Sequence, residues 1–183
     1  MTQAHGRLFV FSGPSGAGLK EILKNVLQGR EDIGYVVPVT ARKMRSGEVN
    51  GQGFWFYDLD QWAELKASGG LLEQTEFAGN DYGTSRKLVQ EQLSSGKHVV
   101  LNLEVERAAQ IKKNMPEAFC VYVEPAGEET LRGRYRQSCR SEIEVSVRME
   151  EAARQRALSG FCDLRLDSTD EDAAAEKIKA LLG

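Results

Sequence analysis

Gly13, Gly16 and Gly18 punctuate the stretch GPSGAGLKE, with Ser15 and Ala17 between them. Glycines so spaced after a strand and before a helix let successive backbone N–H groups turn toward an anion. That is how G-x-x-x-x-G-K-[ST] loops hold phosphates at a helix N-terminus. In such a loop the lysine reaches the β and γ phosphates and the next residue's hydroxyl binds Mg²⁺. Here Leu19 stands at the lysine position and Lys20 at the hydroxyl position. One step along a helix turns a side chain by about 100° and moves it about 1.5 Å. Lys20 is therefore no simple substitute for the missing lysine, and its ammonium repels Mg²⁺ where a metal ligand is needed. Losing one preorganised charge stabiliser costs on the order of 100 to 1000-fold in rate, and losing the metal ligand adds to that.

A second cluster of charge lies between Leu131 and Arg148, where Arg132, Arg134, Arg136, Arg140 and Arg148 form a positive stretch in an otherwise acidic chain. The formal net charge of -3 excludes a general binder of nucleic acid or membrane surfaces, so any anionic ligand must be held locally. Cys120, Cys139 and Cys162 have neither C-x-x-C spacing nor neighbouring histidines. They read as free thiols in a reducing compartment rather than metal ligands or a disulfide framework. The N-terminal MTQAHGRLFVFSG shows no targeting pattern, and no segment has the ~18 apolar residues of a membrane span. A cytoplasmic protein is expected.

These residues need a scaffold. The apolar run RLFVFS (Arg7 to Ser12) reads as a strand, and KEILKNVLQ carries Ile22, Leu23, Val26 and Leu27 at helical spacing. Further strand-like runs occur at YVVPV (Tyr35 to Val39), HVVLNL (His98 to Leu103) and AFCVYV (Ala118 to Val123), with helical patterns at Glu106 to Met115 and Ser141 to Ser159. Strands alternating with helices predict an α/β fold, a parallel sheet flanked by helices. Between Arg42 and Asn80 the chain turns rich in glycine and aromatics around the helical stretch LDQWAELKAS, which predicts a small mixed insertion. The acidic run DSTDED (Asp167 to Asp172) reads as the start of the last helix, with Asp170 or Ser168 near its N-cap. At 183 residues one domain buries roughly two thirds of its unfolded surface.

The stretches TARKMRSGEVNGQGFWF (Thr40 to Phe56) and LLEQTEFAGNDYGTSR (Leu71 to Arg86) resemble, in series, the guanylate kinase signatures T-T-R-x-P-R-x-G-E-x-x-G-x-x-Y-x-F and FLEWAEVHGNYYGTS. GPSGAG is similar to the same family's phosphate loop, and the resemblance runs in matching order from about Gly6 to the C-terminus. It implies the phosphate-loop nucleoside monophosphate kinase fold in a single domain. That domain has a core of residues 1–41 and 81–183, a nucleotide-acceptor insertion of 42–80 and an arginine-containing lid of about 132–145. The implied reaction is ATP-dependent phosphorylation of GMP to GDP. By resemblance Arg42, Arg45 and Tyr82 hold the GMP phosphate, which suits paired guanidinium forks. Glu73, Thr84 and Glu104 meet guanine, while Gly13, Ser15, Gly16, Ala17 and Gly18 cradle the ATP phosphates.

Departures concentrate on the ATP side. Beyond Leu19 and Lys20, Asn102 stands where the family has an aspartate that organises Mg²⁺, and the family's R-G-R-G lid appears as LRGRYRQSCRSE. Arg132, Arg134 or Arg136 can serve there, and Arg148 matches a helix arginine that bridges both nucleotides. On the GMP side Phe54 replaces a phosphate-contacting tyrosine, Pro38 falls near a family serine, and Glu104 replaces an aspartate. Two functions follow, beside a third, a related kinase with another phosphate acceptor or a different donor arrangement. In one, phosphotransfer survives through Lys20, Arg134 and Arg148, slowed by a degraded site for ATP and its Mg²⁺. In the other, the chain is a catalytically inactive GMP-binding or protein-interaction module.

Overall fold

The computed structural model describes residues 5–125 and 127–183; residues 1–4, the start of the segment read above for a targeting signal, lie outside the described residues. In chain order the elements begin with β1 (Leu8–Ser12), α1 (Leu19–Leu27), β2 (Ile33–Gly34), β3 (Val39–Thr40), β4 (Trp55–Phe56), α2 (Leu59–Ala67), β5 (Leu71–Phe77), β6 (Asn80–Ser85) and α3 (Arg86–Ser94). They continue with β7 (His98–Asn102), α4 (Val105–Asn114), β8 (Phe119–Glu124), α5 (Gly127–Ser138), α6 (Glu142–Leu158), a 3-10 turn (Ser159–Phe161), β9 (Leu164–Asp167) and α7 (Glu171–Leu182). The chain divides into two compact units. One comprises residues 5–8, 32–100 and 110–118; the other comprises residues 9–31, 101–109, 119–125 and 127–183.

The second unit is built on parallel strands. Every residue of β1 is buried, as are four consecutive residues of β8, Cys120 to Val123. Continuous apolar runs of this kind are what a strand covered on both faces requires. β1 pairs in parallel with β8, Phe9 opposite Phe119 and Ser12 opposite Tyr122, and β8 pairs in parallel with β9. Helix α1 buries Leu19, Ile22, Leu23 and Val26 along one side and packs against α7. That last helix starts where the acidic run suggested: Asp170 is its N-cap and accepts from the Ala173 N–H at 3.0 Å. Ser168 is not the cap; its hydroxyl is buried and donates to the Glu124 carbonyl at 2.7 Å. Helices α5 and α6 are joined by a cluster of Leu131, Tyr135, Val145 and Ala152, with Cys139 and Met149 packed against it.

In the first unit β2 pairs in parallel with β7, and a mixed sheet runs in the order β4-β3-β6-β5. Thr40 lies opposite Phe56 on one side and Tyr82 on the other, and Glu73 lies opposite Thr84. Val39, Trp62 and Leu71 form the apolar centre under this sheet. Helix α2 opens with a full capping box, Asp58 accepting from the Gln61 N–H while the Gln61 side chain accepts from the Asp58 N–H. The outer strand β5 is covered by side chains rather than by another strand. Gln110 accepts from the Gln74 N–H at 2.9 Å and donates to the Gln74 carbonyl at 3.0 Å, and Asn114 donates to the Leu72 carbonyl at 2.9 Å. Backbone groups satisfied in this way are withheld from any further strand.

One expectation is corrected. Tyr35 to Val39 does not form a strand: β2 ends at Gly34, β3 starts at Val39, and residues 35–38 lie in neither. Pro38 has no N–H to give a ladder, and Tyr35 is 75% exposed. Among the described residues no helix is long and apolar enough to cross a membrane.

Candidate functional site

The glycine loop lies between β1 and α1 in the second unit and lines a cavity of about 810 Å³. Gly13 is required by close approach, since a Cβ there would come 2.7 Å from the Val123 carbonyl oxygen. Gly18 caps α1 in the left-handed region, φ 76°, without any side-chain hydrogen bond to the helix. The leading N–H groups of α1 are thus not consumed by a capping side chain, and they carry the positive end of the helix dipole. Ala17 differs from its neighbours: it is fully buried, and its N–H donates to the Pro14 carbonyl at 3.1 Å. Its part is to fix the turn.

Leu19 is 6% exposed and belongs to the buried side of α1, whereas Lys20 is exposed. Lys20 also lines the cavity, as do Asn102, Glu104 and Arg107. Of the lid candidates, Arg134 is the one that lines it. Its Nη1 donates to the Gly16 carbonyl at 2.6 Å and its Nη2 pairs with Glu171 at 3.2 Å. Arg136 is committed elsewhere, bonded to Glu142 at 2.8 Å, and each holds the other charged: the Glu142 carboxyl is shifted down and the guanidinium up. Arg148 is exposed on α6 with its guanidinium 5.7 Å from the centre of the Tyr135 ring. Neither residue 20 nor residue 102 offers a hydroxyl or carboxylate. Among the described residues, no three or more His, Cys, Asp or Glu side chains are grouped to hold a metal ion.

The residues expected to grip a monophosphate lie in the first unit. Arg42 is 8% exposed and its fork meets Glu48 through two bonds, Nη1 to Oε2 at 3.0 Å and Nη2 to Oε1 at 2.7 Å. Its Nη1 also donates to the Lys43 carbonyl at 2.9 Å, and the guanidinium lies 5.7 Å from the Phe54 ring and 5.2 Å from the Phe56 ring. Glu48 in turn accepts from the Arg45 N–H at 2.6 Å, so one carboxylate orders the whole turn from Arg42 to Glu48. Arg42 first and the Arg45 N–H second pull the Glu48 carboxyl down to about 2. The same bond to Glu48 raises Arg42, with Tyr82 a smaller contributor. Tyr82 packs its ring 5.5 Å from that of Phe54. The exposed side chain of Arg45 completes this group.

Glu73 and Thr84 are 1% and 3% exposed, and Thr84 Oγ1 donates to Glu73 Oε1 at 2.6 Å. With its proton committed to Glu73, the threonine oxygen presents lone pairs. The pair is an array of acceptors suited to N–H donors of a ligand edge. Glu104, the remaining predicted guanine contact, belongs to the second unit and lines its cavity. Glu48, Tyr135 and Glu171 were not singled out from the sequence. Glu48 had a signal, standing three residues after Arg45 in RSGE; the other two act on the loop from far along the chain and had none.

A buried strand, a glycine loop capping a helix and neighbouring parallel strands make the phosphate-loop α/β arrangement that the nucleoside monophosphate kinases share. The profile of the guanylate kinase family matches residues 5–183. The chain belongs to the guanylate kinase family. It is 37% identical over 178 residues to a guanylate kinase of Trichormus variabilis, covering 97% of this chain and 89% of that protein. To a guanylate kinase of Lactococcus lactis it is 35% identical over 179 residues, covering 97% and 87%. A crystal structure of guanylate kinase from Anaplasma phagocytophilum matches with a TM-score of 0.65 at 24% identity, covering 98% of this chain and 85% of that one, and shares the fold.

Proposed function

We propose that the chain transfers the γ-phosphoryl group of ATP to the phosphate of GMP, slowly, using a rebuilt donor site. A GMP phosphate oxygen forms the new bond to phosphorus, the bond to the ADP oxygen breaks, and GDP and ADP leave. Mg²⁺ enters as part of the ATP substrate; Lys20 puts a cation where a metal ligand is needed, and Asn102 offers a neutral amide oxygen in place of a carboxylate, so the chain's own hold on Mg²⁺ is weakened. The observation that carries the reading is the Arg134 guanidinium seated on the Gly16 carbonyl while Leu19 points into the core. α5 thus brings a cation to the loop beside Lys20 of α1. Lys20 and Arg148 add positive charge, and Ser15, Gly16, Ala17 and Gly18 shape the loop around the phosphates.

For GMP, Arg42, Arg45 and Tyr82 receive the phosphate, and Glu73 and Thr84 receive the guanine N–H groups, a donor pattern adenine lacks. Residues 42–80 act as the acceptor insertion and about 132–145 as the lid. Among the described residues no disulfide joins Cys120, Cys139 or Cys162, which supports the reading of a cytoplasmic setting. Phosphoryl transfer rests on positioning and charge neutralisation, so the changes at 19, 20 and 102 lower the rate more than they lower GMP affinity.

A coupled assay for ADP release with GMP, ATP and Mg²⁺ tests this. Turnover below about 1 per second is expected, against a typical enzyme median of about 10, rising at least tenfold in the Leu19→Lys, Lys20→Ser double variant. Unmodified turnover of tens per second would refute the impaired donor site. No turnover in either protein, with GMP binding retained in calorimetry, establishes the GMP-binding module instead. Equal GMP affinity in wild type, Arg42→Ala and Glu73→Ala removes the acceptor assignment.

A further inference from the structure

We infer that Tyr135 is a positioning residue that latches helix α5 onto the phosphate loop and so delivers Arg134 to the place Leu19 leaves uncharged. The inference rests on the proposal that a polyphosphate donor sits on this loop. Tyr135 is 2% exposed, and its phenol donates to the Ser15 carbonyl at 2.6 Å while accepting from Ser15 Oγ at 3.3 Å. Its ring covers the next residue: a Cβ on Gly16 would lie 3.2 Å from Tyr135 Cε1 and 3.0 Å from Leu131 Cδ1. Arg134 then takes the Gly16 carbonyl, at 2.6 Å.

Consecutive carbonyls of the loop are therefore held by consecutive residues of one helix. Neighbouring helical side chains point about 100° apart. Reaching two adjacent loop carbonyls from residues 134 and 135 fixes both the roll of α5 and its advance along its axis. The ring belongs to the cluster shared with α6, and the Arg148 guanidinium of that helix lies 5.7 Å from its centre. Glu171 holds the other arm of Arg134 at 3.2 Å and also borders Gly18, where a Cβ would lie 2.8 Å from its Oε1. The cation at the loop is thus set before any ligand arrives, with one arm on the Gly16 carbonyl and its rotation limited by Glu171.

Tyr135→Phe removes the hydroxyl and keeps the buried ring, so the fold survives and only the latch opens. Hydrogen exchange of the ligand-free protein should show the amides of residues 15–18 exchanging about fivefold faster than in wild type, the worth of one ordinary hydrogen bond. Calorimetry with inorganic tripolyphosphate should show about fivefold weaker binding in Tyr135→Phe and a larger loss in Arg134→Ala. Loop exchange equal to wild type would overturn the latch. Faster exchange with unaltered tripolyphosphate affinity would overturn the positioning of Arg134. If wild type itself fails to bind tripolyphosphate, the donor-site reading falls, and loop exchange in Tyr135→Phe still decides whether the hydroxyl holds the loop.

Discussion

The carboxylate of Glu48 makes the buried charge of Arg42 tolerable, because a guanidinium placed among Phe54 and Phe56 without a partner would bear its full desolvation cost. The pairing has a pH signature. Glu48 is held at about 2 in the folded chain against an ordinary value of 4.5. A depressed folded value means that its stabilisation is complete above 4.5 and fades as pH falls toward about 2. Glu48→Gln should accordingly lower the urea midpoint at pH 7, with a visibly smaller gap from wild type at pH 3. A gap that stays constant or widens on acidification would show that the carboxylate charge is not what holds the turn. Leu19 is the opposite case. Its apolar side chain completes the buried side of α1, so restoring a lysine there removes packing as well as adding charge, and Leu19→Lys will destabilise the chain even if it speeds transfer.

The hairpin that carries Glu73, Tyr82 and Thr84 has a correctable flaw in its turn. β5 and β6 are joined by Ala78 and Gly79, with φ of 51° and 71°. Two positive φ values give the turn whose twist matches a hairpin, and Asn-Gly is its favoured pair. An L-alanine in that region costs roughly 1–2 kcal/mol, whereas asparagine tolerates it. Ala78→Asn should therefore stabilise the chain by about 1 kcal/mol and raise the thermal midpoint by about 2–4 °C; a midpoint unchanged or lowered counts against a strained turn. The same local logic explains what could be read beforehand. β1, the glycine loop and α1 announce themselves because their residues interact with near neighbours in a fixed period. Tyr35 to Pro38 misled because an apolar run does not reveal whether its N–H groups find a ladder. The cover of β5 was invisible: Gln110 and Asn114 reach strand residues 36 and 42 positions away, and Tyr135 reaches Ser15 across 120. Individual polar side chains spaced so far apart leave no periodic trace.

A chain with a net charge of -3 does not gather anionic nucleotides by its overall field, so each phosphate must be met by cations placed at the spot. Those cations are divided between the units: Arg42 and Arg45 in the first, Lys20, Arg134 and Arg148 in the second. Local opening governs amide exchange, and a ligand slows it only where opening releases that ligand. At about 100 times its dissociation constant a ligand adds ~2.7 kcal/mol to such openings, about a hundredfold slowing. GMP alone should therefore protect residues 42–48 and 73–84 strongly while leaving 13–20 nearly unchanged. Tripolyphosphate alone should protect 13–20 and 131–136 and leave 42–48 as they were. If GMP protected the glycine loop and spared the turn ordered by Glu48, its phosphate would be held by Lys20 and Arg134 instead, and the division into acceptor and donor cations would have to be reversed.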